Sequence, residues 1–208
     1  MSQQTIKVYS DYKSPYAYLA KDLVYDLERD TGIHVDWLPY TLDIPAYLGS
    51  AKLDAGGGVA EQSRNAHQWR RVKYSYMDCR REANRRGLTI RGPQKIWDSS
   101  LANIGMLYAK ERGVFRCYHD RVFERFWKRE LDIENVSVLA ALLAECGADA
   151  SDFAAYTEGE GRKRLAEVQA EAEAAGVFGV TSFLLEDGDL YWGREHIPHI
   201  IEKLRAAG

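Results

Sequence analysis

Two hydrophobic periodicities follow each other at the start of the chain. Ile6 and Val8 alternate with polar neighbours, which predicts a short strand. The apolar positions then take a helical period that ends at Gly32, namely Tyr16, Leu19, Ala20, Leu23, Val24 and Leu27. Alternation returns over residues 33–40 and predicts a second strand. A strand, a helix and a strand within about 35 residues form a βαβ unit with parallel strands and a right-handed crossover.

The middle of the chain carries helical patterns almost throughout. Before it, residues 41–59 contain a proline and the run Gly-Gly-Gly, so this segment is predicted to be a loop with one helical turn and a candidate mobile lid. The predicted helices span residues 61–86, 98–112, 115–129, 135–146 and 160–175. Residues 180–185 and 189–192 then flank a Glu-Asp-Gly turn, which predicts an antiparallel hairpin. An amphipathic helix follows over residues 195–206.

The predicted elements run β-α-β, a block of helices, then β-β-α. This is the order of the thioredoxin fold with a helical domain inserted in its middle, so we predict an α/β protein of that class. Residues 1–58 and 177–208 would form the thioredoxin-like domain, and residues 59–176 the inserted all-helical domain. The length of 208 residues suffices for this arrangement.

The composition is that of an ordinary soluble globular protein, with 46% hydrophobic and 28% charged residues. A net charge of −3 argues against a general nucleic-acid binder. No apolar run approaches the roughly 20 residues that a membrane span needs, and the first residues lack the basic and apolar parts of a signal peptide. We therefore expect a cytoplasmic protein that binds neither nucleic acid nor a membrane.

The three cysteines, Cys79, Cys117 and Cys146, are far apart and include no Cys-x-x-Cys pair. An odd count with such spacing in a cytoplasmic chain predicts reduced thiols. Cys79 and Cys146 lie in helical patterns and are expected to be packing residues. No cluster of His, Cys and Asp has the spacing of metal ligands, so no metal is predicted.

The candidate catalytic residue is Ser14, at the joint between the first strand and the first helix. Pro15 suits the first helical position because its missing N–H would have no partner there, which makes Ser14 the N-cap. A plain cap is the simpler interpretation. The alternative is that the hydroxyl, at the positive end of the helix, also hydrogen-bonds an anion. Without an evident base Ser14 is a poor nucleophile, but it is suited to stabilising another molecule's thiolate.

A strongly basic segment spans residues 64–91. It holds nine Lys or Arg residues against Asp78 and Glu82, a net charge of +7, which leaves −10 for the remainder of the chain. Helical spacing places one stripe along it, formed by Arg71, Tyr74, Asp78, Arg81 and Arg85. The segment is either a solvated face with local ion pairs or an anion-binding wall for carboxylates. No stacking or recognition motif accompanies the arginines, which disfavours nucleic acid.

Five stretches together give the chain a family resemblance. They read DYKSPYAYLA at 11–20, KYSYMD at 73–78, DSSLA at 98–102, GVFGV at 176–180 and YWGRE at 191–195. On these motifs the chain resembles the 2-hydroxychromene-2-carboxylate isomerases and kappa-class glutathione transferases. Both belong to the DsbA-like branch of the thioredoxin superfamily, and the resemblance covers almost the whole chain.

The resemblance implies a glutathione site. In the family, the serine matching Ser14 hydrogen-bonds the glutathione sulfur. The positions matching Arg71 and Asp78, usually lysine and aspartate, line the site. The residue matching Val180 pairs its backbone with the cysteinyl part of glutathione. The position matching Glu195, usually aspartate, holds the γ-glutamyl end.

Thr181 departs from the family pattern, although we count it with the glutathione site. The family has a proline there, after a cis peptide bond. A cis bond before threonine costs about 2.5–4 kcal/mol, so it persists only where the surrounding structure enforces it. The shape of the backbone edge offered to glutathione depends on this bond.

The resemblance therefore predicts a glutathione-dependent isomerase or transferase-like enzyme that acts on an aromatic-derived 2-oxo acid. Glutathione would be its cofactor, Ser14 would stabilise the thiolate, and the enzyme would be a homodimer. Four aromatic residues are either walls for the substrate ring or core residues, namely Tyr12, Tyr16, Trp37 and Trp97. Two alternatives stay open. One is a DsbA-family thiol-disulfide oxidoreductase-like protein, although residues 14–17 contain no cysteine. The other is a non-catalytic ligand-binding protein on the same scaffold.

Overall fold

A mixed four-stranded sheet carries the amino- and carboxyl-terminal parts of the chain. The computed structural model describes residues 4–207. Its strands are β1 (Thr5–Ser10), β2 (His34–Pro39), β3 (Ala51–Leu53), β4 (Val59–Gln62), β5 (Ser182–Leu184) and β6 (Leu190–Trp192). The main sheet has the order β2-β1-β5-β6, with β1 parallel to β2 and antiparallel to β5. β5 and β6 are antiparallel. The predicted βαβ unit and carboxyl-terminal hairpin are confirmed.

Helices make up most of the described chain. They are α1 (Pro15–Thr31), α2 (Ile44–Leu48), α3 (Ala66–Arg85), α4 (Ser100–Glu111), α5 (Phe115–Trp127), α6 (Val136–Glu145), α7 (Phe153–Glu158), α8 (Glu160–Ala174) and α9 (Ile197–Ala207). A 3-10 turn, Arg194–His196, precedes α9. Helices α3 to α8 lie between β4 and β5 in the chain, so the α/β thioredoxin-like fold with a helical insertion is confirmed. Of the helices described, none has the length and apolarity needed to cross a bilayer.

Both ends of α1 follow from local sequence. Ser14 Oγ accepts a hydrogen bond from the Ala17 amide at 3.2 Å, and Pro15 occupies the first helical position, as predicted. At the other end Gly32 adopts φ 69°, a left-handed conformation that glycine takes without steric penalty. Its amide donates to the Glu28 carbonyl at 2.9 Å.

The buried side chains form two clusters. The smaller lies between the sheet and helices α1 and α9 and includes Ile6, Val8, Val24, Phe183 and Ile200. The larger joins the end of β1 and the start of α1 to the helical block, and includes Tyr9, Tyr12, Leu19, Ile104 and Phe123. The helical block therefore packs directly against the part of the chain that presents Ser14. The division into domains at residues 58 and 176 stays a prediction.

Residues 41–59 are more regular than predicted. The expected helical turn is present as α2, but β3 and β4 form a small antiparallel sheet in place of a loop. Asp54 organises the turn between them, since its carboxylate accepts from the Gly58 amide at 2.9 Å. The Leu53 amide donates to the Gln94 carbonyl at 2.9 Å and so joins β3 to a later part of the chain. Because β4 takes residues predicted to be helical, α3 begins at Ala66, not at residue 61. Helix α7 was also missed, because its six residues are too few for a helical period to stand out.

The prediction of three reduced thiols was wrong. Cys117 of α5 and Cys146, which ends α6, form a disulfide with their Cα atoms 5.6 Å apart. Cys79 is free and fully buried, as expected of a packing residue. The pair lies 29 residues apart and meets only because α5 packs beside α6. Sequence spacing alone could not show this.

Counting thiols tests this disulfide. We expect one titratable thiol in the unfolded, unreduced protein and three after reduction, because only Cys79 is free. The measurement is a colorimetric thiol assay in guanidinium on protein purified without reductant. Cys79→Ser is the control and should bring the unreduced count to zero. A count of three before reduction would contradict the pairing.

Candidate active site

Ser14 lies at the carboxyl end of β1, where the sheet meets α1. Its amide donates to the Asp11 carbonyl at 3.0 Å and its Oγ caps α1 through the Ala17 amide. The residue is only 6% exposed. A hydroxyl that accepts the cap bond still has its own proton to donate. Ser14 can therefore cap the helix and hydrogen-bond an anion at the same time.

The segment that enters β5 runs beside this joint. Because Tyr9 pairs with Ser182, Thr181 and Val180 extend past the pairing toward the end of β1 that leads to Ser14. The Val180–Thr181 peptide bond is cis, as in the family that the chain resembles, although no proline is present. Thr181 is buried and its Oγ1 has no hydrogen-bond partner. Among the hydrogen bonds of residues 4–207, none involves the Val180 amide or carbonyl.

The turn before α9 is tied to the same segment. The Gly193 amide donates to the Thr181 carbonyl at 2.9 Å. Gly193 has φ 109°, and a Cβ there would lie 2.5 Å from the Glu195 carboxylate, so that carboxylate folds against the glycine. Glu195 itself is exposed. The neighbouring Arg194 has one guanidinium nitrogen, Nη1, buried without a partner.

Helix α3 supplies Asp78, which is linked to the start of α1. The Tyr16 hydroxyl donates to Asp78 Oδ2 at 3.2 Å, and the Asp78 side chain remains 32% exposed. Cys79 lies behind it, and burial raises the pKa of its thiol to about 12. Cys79 is therefore protonated at neutral pH and is not a ready nucleophile.

Arg71 stands apart from this contact. It is exposed on α3, seven residues before Asp78, and forms no ion pair with any residue of the described chain. The Arg71 charge acts on Tyr47 of α2. Burial, with help from Asp11 and Asp43, raises the pKa of Tyr47 to about 12, and the Arg71 charge opposes that rise.

Sequence reasoning missed a buried polar cluster behind Ser14. The enclosed Asp11 carboxylate accepts from the Leu42 amide at 2.8 Å and from Asn103 Nδ2 at 3.5 Å. Burial raises the pKa of Asp11, although the Lys13 ammonium, 3.8 Å away, opposes the rise. The sequence shows that Asp11 and Lys13 lie within three positions of Ser14. It does not show the cluster, because Leu42 and Asn103, which contact Asp11, are remote along the chain.

Of the four aromatic residues considered as walls or core, two are core. Tyr12 and Trp37 are 0% and 3% exposed and pack around the buried His119, to which the Tyr12 hydroxyl is hydrogen-bonded at 3.0 Å. Trp97 is half-buried and lines two neighbouring cavities of about 270 and 290 Å³. Ser14 lines neither. Trp97 thus borders open space, whereas Tyr12 and Trp37 do not, and Tyr16 is partly buried and contacts Asp78.

Five of the six predicted site residues follow from or flank elements at one end of the sheet: Ser14, Asp78, Val180, Thr181 and Glu195. Their links run through neighbours, since Tyr16 joins Asp78 to α1, and Gly193 joins the turn of Glu195 to Thr181. Arg71 lies beyond them on α3. No group of three or more His, Cys, Asp or Glu side chains within residues 4–207 is arranged to hold a metal ion. A helix end with a capping side chain, beside the segment that enters an antiparallel strand, is the arrangement of a thioredoxin-like fold. Here the joint presents a hydroxyl where such proteins carry a thiol.

Comparison with known proteins shows the family to which the chain belongs. The family model described as DSBA-like thioredoxin domain matches residues 5–205, so the chain belongs to that family. A 2-hydroxychromene-2-carboxylate isomerase of Sphingobium xenophagum is 27% identical over 200 residues, which are 95% of this chain and 96% of the relative. The resemblance inferred from the five motifs is confirmed.

Solved structures agree on the fold. A 2-hydroxychromene-2-carboxylate isomerase superposes with a TM-score of 0.75 at 22% identity, covering 98% of this chain and 95% of that one. The cytosolic disulfide reductase DsbM of Pseudomonas aeruginosa, solved with GSH, gives a TM-score of 0.65 at 18% identity over 97% and 96% of the two chains. Proteins with this fold thus include one named as an isomerase and one named as a disulfide reductase.

Proposed function

We propose that this protein is a glutathione-dependent isomerase of an aromatic-derived 2-oxo acid, of the 2-hydroxychromene-2-carboxylate type. The observation that carries the proposal is Ser14. Its capping hydroxyl stands at the positive end of α1 with a proton free to donate, and residues 14–17 hold no sulfur. Thiol chemistry at this joint therefore requires a thiol that arrives with a ligand. Glutathione supplies one, and the relative that is 27% identical carries the isomerase name.

The surrounding residues suit the parts of glutathione. The Val180 backbone, which makes no hydrogen bond in the described chain, would pair with the cysteinyl unit beside Thr181. Glu195 would hold the γ-glutamyl ammonium. Asp78 and Arg71 would line the site from α3. Arginine and glutamate keep the charges of the lysine and aspartate usual in the family but change the reach of the side chains.

The reaction proposed is reversible addition. Bound glutathione would supply a thiolate that adds reversibly to the conjugated double bond, with the 2-oxo group accepting the electron pair. The former double bond could then rotate, and loss of the thiolate would restore it with no net oxidation. Ser14 and the end of α1 would stabilise the thiolate before addition and after release.

A dithiol oxidoreductase function is disfavoured by the cysteines. Cys79 is buried with its pKa raised to about 12, and the disulfide joins two helices of the insertion, neither of which carries Ser14. Reduction of insulin by the protein would contradict this argument. A non-catalytic protein on this scaffold would bind a ligand without converting a substrate, so only an assay of turnover distinguishes it from the isomerase.

Titration with glutathione tests the proposal. We expect calorimetric binding and a rise in melting temperature at submillimolar glutathione, because the ligand binds only the folded protein. Isomerisation of 2-hydroxychromene-2-carboxylate should require glutathione. S-methylglutathione is the matched control, since it should bind but support no turnover. The absence of heat and of a thermal shift at millimolar glutathione would refute the proposal.

A homodimer and a cytoplasmic location complete the proposal. Phe178 and Trp192 are 63% and 51% exposed, with their rings 5.1 Å apart, and form an apolar patch next to the predicted glutathione site. Exposed apolar patches of this kind favour association. The location is supported by the solved structure of DsbM, which has the same fold and is named a cytosolic disulfide reductase.

A further inference from the structure

Lys13, the residue before Ser14, carries a nearly buried positive charge. Its side chain is only 9% exposed. The closest carboxylate oxygen is Asp11 Oδ2 at 3.8 Å, beyond the 2.7–2.9 Å usual for a charge-assisted hydrogen bond. Lys13 Nζ donates no hydrogen bond to any residue of the described chain. An ammonium has three protons to donate, and this one donates none of them to a protein group within residues 4–207.

The carboxylates around Lys13 are already engaged elsewhere. Asp11 accepts from the amides of Leu42 and Lys13 and from the Asn103 side chain. On the other side, hydrogen bonds from Ser100 at 2.6 and 2.9 Å, with a smaller effect of the Lys13 charge, outweigh burial and lower the pKa of Asp98. Neither carboxylate accepts a hydrogen bond from the ammonium. The charge is balanced by Asp11 at 3.8 Å, but its donors have no acceptor within residues 4–207.

Leaving a buried charge without hydrogen bonds is costly, so this arrangement calls for an acceptor. Nζ is nevertheless reachable, because it is not one of the fully enclosed polar atoms that lack partners. Asn103 Oδ1, in the same cluster, is one of those atoms. Lys13 directly precedes Ser14 in the chain. Because a lysine side chain is long and flexible, it can extend toward an anion held at Ser14.

We propose that Lys13 is a specificity-determining residue that binds the carboxylate of the 2-oxo acid, so that the site selects acids over neutral ketones of the same shape. The inference rests on the proposed function, because it places the substrate beside the glutathione sulfur at Ser14. It assigns Arg71 to glutathione and not to the substrate. Arg71 is exposed on α3, where solvent weakens its attraction for a carboxylate.

The test compares two probes on the glutathione-loaded protein. Benzoylformate is an aromatic 2-oxo acid without a reactive double bond, and acetophenone carries a methyl group in place of its carboxylate. We expect Lys13→Met to weaken benzoylformate binding about tenfold, since hydrogen bonds to charged groups are worth about that factor or more, and to leave acetophenone binding and glutathione binding unchanged. Lys13→Arg should restore most of the benzoylformate affinity. Calorimetry or competition against turnover measures each constant.

Two further variants separate the alternatives. Arg71→Met should lower glutathione affinity but not benzoylformate affinity. If Lys13 serves only to neutralise Asp11, the double variant Asp11→Asn, Lys13→Met will recover benzoylformate binding. If Lys13 binds the substrate, the double variant will stay weak. If Lys13→Met alone does not fold, the double variant still tests the proposal, because it leaves no uncompensated buried carboxylate.

Three results would overturn the inference. They are full benzoylformate affinity in Lys13→Met, an equal loss for both probes, and recovery of affinity in the double variant. Failure of the proposed function looks different. In that case the unaltered protein does not bind glutathione, and benzoylformate binding is then compared between the unaltered protein and Lys13→Met without glutathione.

Discussion

Replacing Ser14 with alanine is expected to lower kcat/KM for glutathione-dependent isomerisation about 10- to 100-fold. Glutathione affinity should change no more than about threefold, because most of its contacts lie elsewhere. The hydroxyl hydrogen-bonds the thiolate better than the thiol. Its loss should therefore raise the pKa of the bound glutathione thiol by about 1 to 2 pH units, at 1.36 kcal/mol for each unit. The thiolate fraction at neutral pH falls accordingly.

Absorbance of the thiolate as a function of pH measures this shift directly. Ser14→Thr keeps both the hydroxyl and the cap and should retain most of the activity. Asn135→Ala is the control for the lost cap, because Asn135 caps α6 through the Val138 amide at the same 3.2 Å. It should cost about 1 kcal/mol of stability without changing the thiol pKa. An unchanged pKa of bound glutathione in Ser14→Ala would rule out the role given to Ser14.

The predictions that held are those with a local cause. The strand, cap, proline and terminal glycine of the first βαβ unit lie within residues 5–39, and each acts on its immediate neighbours. The pairing of β5 with β6 follows from a tight turn. The position of Ser14 at the positive end of α1 needed nothing from the rest of the chain. This is why the cap at Ser14 could be predicted before its surroundings were known, whereas its role in a glutathione site stays a prediction.

Most of the features that were missed involve contacts remote in sequence, the short helix α7 being an exception. The β3–β4 hairpin turns locally at Asp54, but it is also joined to Gln94, whose carbonyl accepts from the Leu53 amide 41 residues away. The disulfide depends on how α5 and α6 pack. The setting of Lys13 depends on Leu42 and Asn103, which reach the Asp11 carboxylate from two different parts of the chain. Hydrophobic periodicity and residue spacing predict single helices and strands, but they do not predict which helices and strands pack together.

Helix α4 connects the packed helical block to the candidate site. Gly105 is the position in α4 where an added side chain would collide with a neighbouring helix. Asn103, in the first turns of α4, holds Asp11 behind Ser14. Gly105 lies against Tyr118 of α5, whose buried hydroxyl donates to the Ala102 carbonyl at 3.1 Å. A Cβ added at Gly105 would lie 2.0 Å from that hydroxyl oxygen and 2.6 Å from the ring carbon that carries it. Contacts of this length cannot be made, so either the ring or the helix has to move.

Gly105→Ala is therefore expected to destabilise the protein by about 3 kcal/mol, measured by chemical denaturation. Alanine favours a helix over glycine by about 1 kcal/mol, but overpacking a close-packed core costs about 1–3 kcal/mol and occasionally more. Here the displaced hydroxyl also loses its hydrogen bond. The gain in propensity is the smaller effect, so the net change is unfavourable.

The double variant with Tyr118→Phe identifies the cause. Removing the hydroxyl relieves the 2.0 Å contact but not the one at 2.6 Å, so Gly105→Ala should cost less in the Tyr118→Phe background than in the parent protein. The coupling energy from this cycle should be about 1 kcal/mol or more, as for residues in direct contact. Additive effects would show that the helix, and not the ring, gives way. In that case Asn103 moves with α4, and benzoylformate binding would weaken together with stability.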